Sequence, residues 1–399
     1  MRVPLNELLY ALSRGLDFVE QEVLGVTQNH GLRTAYISGR ICRAMGMSDI
    51  EVLDMACCAI LHDNALTEYM MGSSPEHFGC MQQFIGHCAN GEKNVKAFPF
   101  ADDALDVVMY HHENWNGSGF HQLSGNEIPV RAAILRLADN MDLCLSLGDN
   151  RASLADEMRD HALKHSGRFY SPEVVRTLVG ILDSERNFSR SLADPNILLS
   201  LRRDIPTARA DLGTAEMIKI CNRLASIIDA KSSFTRDHSS RVARQAYKLA
   251  PHFDIGGERA GWLVIAAYLH DIGKLSTPMH ILDKPSRLNN NELAVMHKHV
   301  EITGDLLHGV PGLGDIVDWS ANHHEKLNGQ GYPNGYGENE LSMEGHIITC
   351  CDIYQALIEE RPYRQAMGHG DAMRTIHEMA YAGELDPRII EVLKHETTN

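Results

Sequence analysis

Residues 261–274 read G-W-L-V-I-A-A-Y-L-H-D-I-G-K: an almost wholly apolar run, then His270 and Asp271, then Lys274 three residues later. Such a run predicts a buried helix that delivers an imidazole and a carboxylate at its C-terminal end. The text has an earlier echo, since A-I-L-H-D at 59–63 parallels A-Y-L-H-D at 267–271. Working outward from both pairs, the chain repeats itself. His30, His62-Asp63, His87, His111-His112 and Asp139 follow at gaps of 32, 25, 24 and 28 residues; His238, His270-Asp271, His299, His323-His324 and Asp352 follow at 32, 29, 24 and 29. Chance does not produce this. H-H-E-N-W-N-G-S-G at 111–119 answers H-H-E-K-L-N-G-Q-G at 323–331, and Pro172-Glu173-Val174-Val175 answers Pro387-Arg388-Ile389-Ile390. The spacing predicts two tandem modules, 1–190 and 205–399, joined by a segment whose Asp194-Pro195 and Ile205-Pro206 break helices.

The remaining patterns are helical. Met217, Ile218, Ile220, Cys221, Leu224, Ile227 and Ile228 form the stripe of an amphipathic helix. Ile347 to Leu357 places Asp352 within another apolar helix, where a charge is costly unless it is paired or bound to a metal. Alternating strand patterns are short and few. An all-α architecture of two tandem helical bundles is therefore expected.

Composition narrows the function. The chain has 399 residues, 22 of them histidine, and a net charge of -16. That acidity argues against a nucleic-acid polymer as partner, because backbone binding needs basic surface, but leaves room for a small anion in a local basic pocket. The nine cysteines include no C-x-x-C pair and several lie in apolar runs, which predicts buried free thiols in a reducing compartment. Met1 to Glu22 lacks a long apolar core, and no run approaches the length of a membrane span, so no membrane association and a cytoplasmic location are expected.

The second set of anchors suits two divalent metals. Imidazole and carboxylate ligands favour Fe, Mn, Ni, Co or Zn over Ca or Mg. Adjacent His270 and Asp271 could serve different ions with the carboxylate bridging, and two such ions polarise a phosphoryl oxygen for phosphoester hydrolysis. His299 is chosen over nearby His297 because the parallel His87 shares its spacing to the following His pair. The twelve histidines outside the two sets keep ordinary roles. Lys274, Arg361 and Arg364 lie close to the anchors in sequence and could hold a phosphodiester. In G-Q-G-Y-P, Gly329 and Gly331 allow close backbone approach, and Tyr332, followed by Pro333, could stack on a base.

H-D-I-G-K at 270–274, H-H-E-K-L-N-G-Q-G-Y-P at 323–333 and C-D-I-Y-Q-A-L with R-P-Y-R at 351–364 resemble the HD-GYP family of bacterial cyclic-dinucleotide phosphodiesterases. I-L-D-K-P-S-R-L at 281–288 and M-H-K-H at 296–299 extend the likeness, which covers about 235–395. The resemblance implies an all-helical HD fold and hydrolysis of a cyclic dinucleotide to a linear 5′-phosphorylated product, with two ions of iron or manganese. It makes His238, His270, Asp271, His299, His323, His324 and Asp352 the metal ligands, with Asp271 bridging and, with Lys274, catalytic. It assigns Lys274, Arg361 and Arg364 to the substrate phosphate and sets Gly329, Gly331, Tyr332 and Pro333 at the substrate pocket. Some members hold a third metal through a Glu four residues before the first ligand; here that position is Phe234, which favours two.

Gln355 replaces the usual Asp three residues after the last ligand and could accommodate adenine as well as guanine; Ser232 replaces a commonly acidic position. The tandem layout and Gln355 resemble the subgroup that degrades 3′3′-cyclic GMP-AMP. A cyclic di-GMP-specific enzyme and a non-enzymatic cyclic-dinucleotide sensor are the alternatives. In the first module the seven anchors remain, but Leu66 stands in place of Lys274, Gly119-Phe120-His121 in place of G-Y-P, and Gly148 in place of Arg361. That module is expected to regulate or dimerise without hydrolysing substrate, with a homodimer as the candidate assembly.

Overall fold

Polar caps and glycines cut the chain into helices. Ser48 and Glu51 cap one N-terminus reciprocally, and Asn289 with Glu292 caps another. The computed structural model describes residues 2–68, 81–149, 151–232, 234–362 and 364–398, with the backbone alone at 81–85, 102, 103 and 398. His77, Cys80 and the Tyr363 of R-P-Y-R lie outside the described residues. Among those described there is no sheet, only isolated bridges. None of the helices searched is long and apolar enough to cross a membrane.

The chain divides into two compact units. The first, Pro4–Ala210, contains α1 (Leu5–Leu24), α2 (His30–Ala44), α3 (Asp49–Ile60), α4 (Met81–Val95), α5 (Asp102–Tyr110), α6 (Val130–Leu145), α7 (Leu154–His165), α8 (Pro172–Ser184), α9 (Phe188–Ser191) and α10 (Ile197–Asp204). The second, Asp211–Asn399 with Met1–Val3, contains α11 (Thr214–Asp229), α12 (His238–Leu249), α13 (Gly257–Leu269), α14 (Met279–Leu282), α15 (Asn290–Leu307), α16 (Asp315–Ala321), α17 (Met343–Ile358), α18 (His369–Tyr381) and α19 (Pro387–Thr398). Both units share one plan: α2 packs on α3 and α6 as α12 packs on α13 and α17.

The segment read as a joint is folded structure. Phe188, Leu192, Ile197, Leu201 and Ile205 are buried, so α9 and α10 complete the first unit and the division falls after Ala210. Val3 exchanges backbone hydrogen bonds with Leu212, which attaches the first residues to the second unit. The eight described cysteines form no disulfide; all are buried except Cys144.

Candidate metal centres

In the second unit α13 stops at Leu269, and the turn that follows carries His270 and Asp271 before a 3-10 helix, Ile272–Ser276, that holds Lys274. Gly273 lets α15 close on this turn, because a Cβ there would lie 1.9 Å from the His299 carbonyl oxygen. His270, His299 and His323 each donate Nδ1–H to the carbonyl three residues earlier, on Ala267, Met296 and Ser320, at 2.7 Å. Those bonds fix the tautomer and leave each Nε2 lone pair facing inward, as metal-bound imidazoles require.

The carboxylates sit between them. Asp352 Oδ1 is 3.0 Å from His238 Nε2 and 3.9 Å from His270 Nε2. Asp271 Oδ2 lies 3.3 Å from His270 Nε2, whereas Oδ1 lies 3.5 and 3.8 Å from His299 and His323 Nε2. The two oxygens of Asp271 thus face different histidines, the arrangement a bridging ligand needs. Three groupings, His238–His270–Asp352, His270–Asp271–His323 and His299–His323–His324, each bring their ligand atoms within 4.8 Å. His270 Nε2 and Asp271 Oδ1 are buried and make no hydrogen bond, so the donor set fits divalent cations.

Local electrostatics prepares these ligands. Burial pushes His299 down to about 3 and His324 to about 4, and holds His323 well below its usual value, so all three are neutral donors near pH 7. For Asp271, burial acts upward, but His270 and Lys274 outweigh it and keep the carboxyl ionised. Burial also opposes charging of His238, yet hydrogen bonds to Asp352 and Glu359 lift it to about 9.

Beside the centre is a cavity of about 430 Å³. Lys274, Lys284, Arg287, Arg361 and Arg364 line it against one carboxylate, Asp352, and Phe234, Leu288 and Leu293 add apolar wall. Lys274 Nζ also reaches Asp271 Oδ2 at 2.5 Å. Arg364 splits its guanidinium, donating to the carbonyls of Leu357 and Ala356 at 3.0 and 2.7 Å. Gly329 adopts φ +70°, and a Cβ on Gly331 would come within 2.4 Å of Glu325 Cα; neither glycine lines the cavity, nor does Pro333, and the three shape the loop that presents Tyr332.

Two sequence expectations change here. Tyr332 stacks with His297 at 3.9 Å and His324 at 4.9 Å between ring centroids. Tyr332 is already stacked with two near-parallel imidazoles while lining the cavity, so the residues available to a base there include His297 as well as the phenol. Gln355, expected to read a base, is 1% exposed and absent from the cavity lining. It donates to Glu359 Oε1 at 2.6 Å and accepts from Gln245 at 2.9 Å, behind His238.

The first unit assembles the matching cluster. His30, His62, Asp63, His87, His111 and Asp139 are buried, and His62 and His111 donate Nδ1–H to Ala59 and Val108 carbonyls. Asp63 Oδ1 is 3.2 Å from His87 Nε2 and 3.5 Å from His111 Nε2, and Asp139 Oδ1 is 3.3 Å from His30 Nε2. His112 joins the grouping His87–Cys88–His111–His112. Leu66 is fully buried where the other unit has Lys274. Gly148, in the place of Arg361, packs so closely that a Cβ would lie 2.9 Å from Asp194 Oδ1 and 3.0 Å from Arg33. A side chain there would have to displace the Asp194 carboxylate and the Arg33 guanidinium from each other.

Some functional residues escaped the sequence reading. Glu359 accepts from His238 Nδ1 at 2.8 Å, the role Asp142 plays for His30 at 2.7 Å. Glu325 is fully buried and accepts from the backbone of Asn334, Gly335 and Tyr336, pinning the loop after the paired histidines; Glu113 does so from His121 and Leu123. The third letter of H-H-E, present in both copies, was the available signal.

These paired histidine–aspartate centres on repeated helical bundles define a tandem HD-domain protein: residues 27–143 and 222–389 each match an HD domain, and the chain belongs to that family. Over 98% of this chain and 91% of the relative it is 28% identical to 3′3′-cGAMP-specific phosphodiesterase 1 of Vibrio cholerae. It is 31% identical to 3′3′-cGAMP-specific phosphodiesterase 3 of the same organism over 77% of this chain and 66% of that one. A solved cyclic GMP-AMP specific phosphodiesterase from V. cholerae superposes with a TM-score of 0.70 at 24% identity, covering 100% of this chain and 98% of the other, which shows the shared fold.

Proposed function

We propose that the second unit is a metal-dependent phosphodiesterase that hydrolyses a cyclic dinucleotide, 3′3′-cyclic GMP-AMP, to a linear 5′-phosphorylated dinucleotide. The observation that carries this reading is the cavity in which five cations meet one carboxylate beside the histidine–aspartate centre, in a chain of net charge -16. Such a pocket concentrates a small polyanion, and its apolar wall suits nucleobases. The names of the relatives matched over most of the chain support the particular dinucleotide.

His238, His270, Asp271, His299, His323, His324 and Asp352 would hold two divalent ions, iron or manganese. Bound there, the ions supply Lewis-acid polarisation of the phosphate and a nucleophile from water at neutral pH. Lys274, beside Asp271 in the cavity lining, donates to the phosphate oxygen on which charge grows, and Arg361, in the same lining, steadies the phosphodiester. Arg364 contributes chiefly by fixing the end of α17 through its two carbonyl bonds. Tyr332, stacked with His297 and His324, forms part of the cavity wall. The first unit has the metal-type donors without the substrate cations, and we assign it a regulatory or dimerising role. The absence of a disulfide among the described cysteines supports a cytoplasmic setting.

The test is an anaerobic assay with Fe(II) or Mn(II) that offers 3′3′-cyclic GMP-AMP and cyclic di-GMP and identifies the products. Faster hydrolysis of the mixed dinucleotide is expected. Clear preference for cyclic di-GMP would overturn the substrate; binding without turnover by metal-loaded protein would make it a sensor.

A further inference from the structure

The first unit carries a buried carboxylate that neither the fold nor the proposed hydrolysis uses. Asp17 accepts from Gly31 N at 3.1 Å, and Asp229 accepts from Ser239 N at 3.0 Å. Gly31 and Ser239 each follow the first histidine of their set, so these bonds align α1 with α11 and make Glu20 the counterpart of Ser232, three residues further on in each. Ser232 lines the substrate cavity of the second unit. Glu20 is 1% exposed, and its Oε2 makes no hydrogen bond.

Its surroundings point inward. The charges that act on Glu20 are those of His30, His62, Asp17 and Asp63, and Glu20 acts in turn on His30 and His62. Asp17, Glu20, Asp63, Asp139 and Asp142 are all buried around this point. Arg33, fully buried among them, is engaged with Asp142 and Asp194. Buried carboxylates in such number need counter-charge, which His30 and His62 supply only by holding protons that a divalent cation would replace, and the Nε2 atoms of His62 and His111 and Oδ1 of Asp63 are buried without hydrogen bonds.

We propose that the first unit keeps a divalent metal centre of its own on His30, His62, Asp63 and Asp139, and that the chain's own Glu20 carboxylate caps it where the second unit admits a substrate phosphate. An internal carboxylate is held at a high effective concentration and cannot diffuse away. The centre is therefore closed to dinucleotides and retains its metal, while Leu66 and the Asp194–Arg33 pair block the remaining approach. This inference stands apart from the substrate assignment, and its test reads metal rather than turnover.

The experiment uses the full chain carrying His270→Ala and Asp271→Asn, and of the metal this background retains, the part lost on adding Asp63→Asn belongs to the first unit. The protein is loaded with Mn(II), passed through a desalting column and challenged with EDTA. Metal is counted by mass spectrometry, water access by Mn(II) proton relaxation, and anion access with inorganic phosphate. Retained metal is expected, lost on adding Asp63→Asn. Adding Glu20→Ser keeps the metal but speeds its release by about tenfold or more, raises relaxivity and lets phosphate bind. A background that holds no metal, or a Glu20→Ser protein with unchanged release and relaxivity, overturns the proposal. Circular dichroism checks each fold; should the doubly altered background unfold, the slowly released metal fraction of the otherwise unaltered chain is compared with and without Glu20→Ser, and an identical fraction overturns the proposal equally.

Discussion

Gln355 and Glu359 lie one helical turn apart at the end of α17, and together they do for His238 what Asp142 does alone for His30. Three residues after the last aspartate the first unit has Asp142 and the second has Gln355; seven residues after it they have Ser146 and Glu359. The carboxylate that orients the histidine has moved along the helix by one turn, with Gln355 left to hold it. Outer partners of metal-bound histidines are worth about 10–100-fold in metal affinity. Glu359→Gln is accordingly expected to weaken Mn(II) binding by about that factor in calorimetry, with KM for the dinucleotide unchanged at saturating metal. Adding Gln355→Asp should recover most of the loss, since it rebuilds the arrangement of the first unit; a Mn(II) titration unaffected by Glu359→Gln would sink the assignment. Lys274 acts on a different step. Its ammonium faces both Asp271 and the cavity, so Lys274→Ala should lower kcat by about 10²–10³-fold, the range found for deleting one transition-state donor. Metal content should stay intact.

At the scale of elements, the helices were readable because their signals are local. The apolar run to Leu269, the stripe from Met217 to Ile228 and the burial of Asp352 within α17 all follow from spacing along one helix, and α13, α11 and α17 appear where expected. The seven anchors of each set were readable because the chain states them twice. What stayed hidden depends on contacts between elements. Gln355 is turned away from the cavity by Gln245 on α12, and Tyr332 is stacked with an imidazole from α15. The end of the first unit was misplaced because the breakers at Asp194-Pro195 and Ile205-Pro206 mark where helices stop, and whether the short helices beside them pack is decided by burial of Phe188 and Leu201. The loop after the paired histidines shows both regimes at once. Its glycines are visible in sequence, while the need for Gly331 comes from the Glu325 backbone pressed against it. Gly331→Ala should displace the loop, lowering both the melting temperature and the hydrolysis rate while Mn(II) remains bound; unchanged activity would show that the loop tolerates the shift.

For the whole molecule the buried charges set how the metal-free chain responds to pH. Burial raises Glu20 from 4.5 to about 8. Hydrogen bonds and charges from carboxylates outweigh burial at His62 and His238, lifting each from 6.5 to about 9. All three values are higher in the folded state, so the fold binds protons that the unfolded chain has released. The stability they contribute is complete below the unfolded values and is lost as pH rises through the folded ones. His299, His323 and His324 are depressed instead, and their contribution is already complete once pH exceeds the unfolded value of 6.5. Between about pH 7 and 9 the raised groups therefore dominate, and EDTA-stripped protein should melt at progressively lower temperature across that interval. Divalent metal favours ionised carboxylates and neutral imidazoles, so loading with Mn(II) should flatten the slope or reverse it. Glu20→Gln removes one of the raised titrations, which also include His30 and His270, and should lessen the decline mostly below pH 8. Scanning calorimetry across this range checks the account, and a metal-free protein that melted higher at pH 9 than at pH 7 would contradict it.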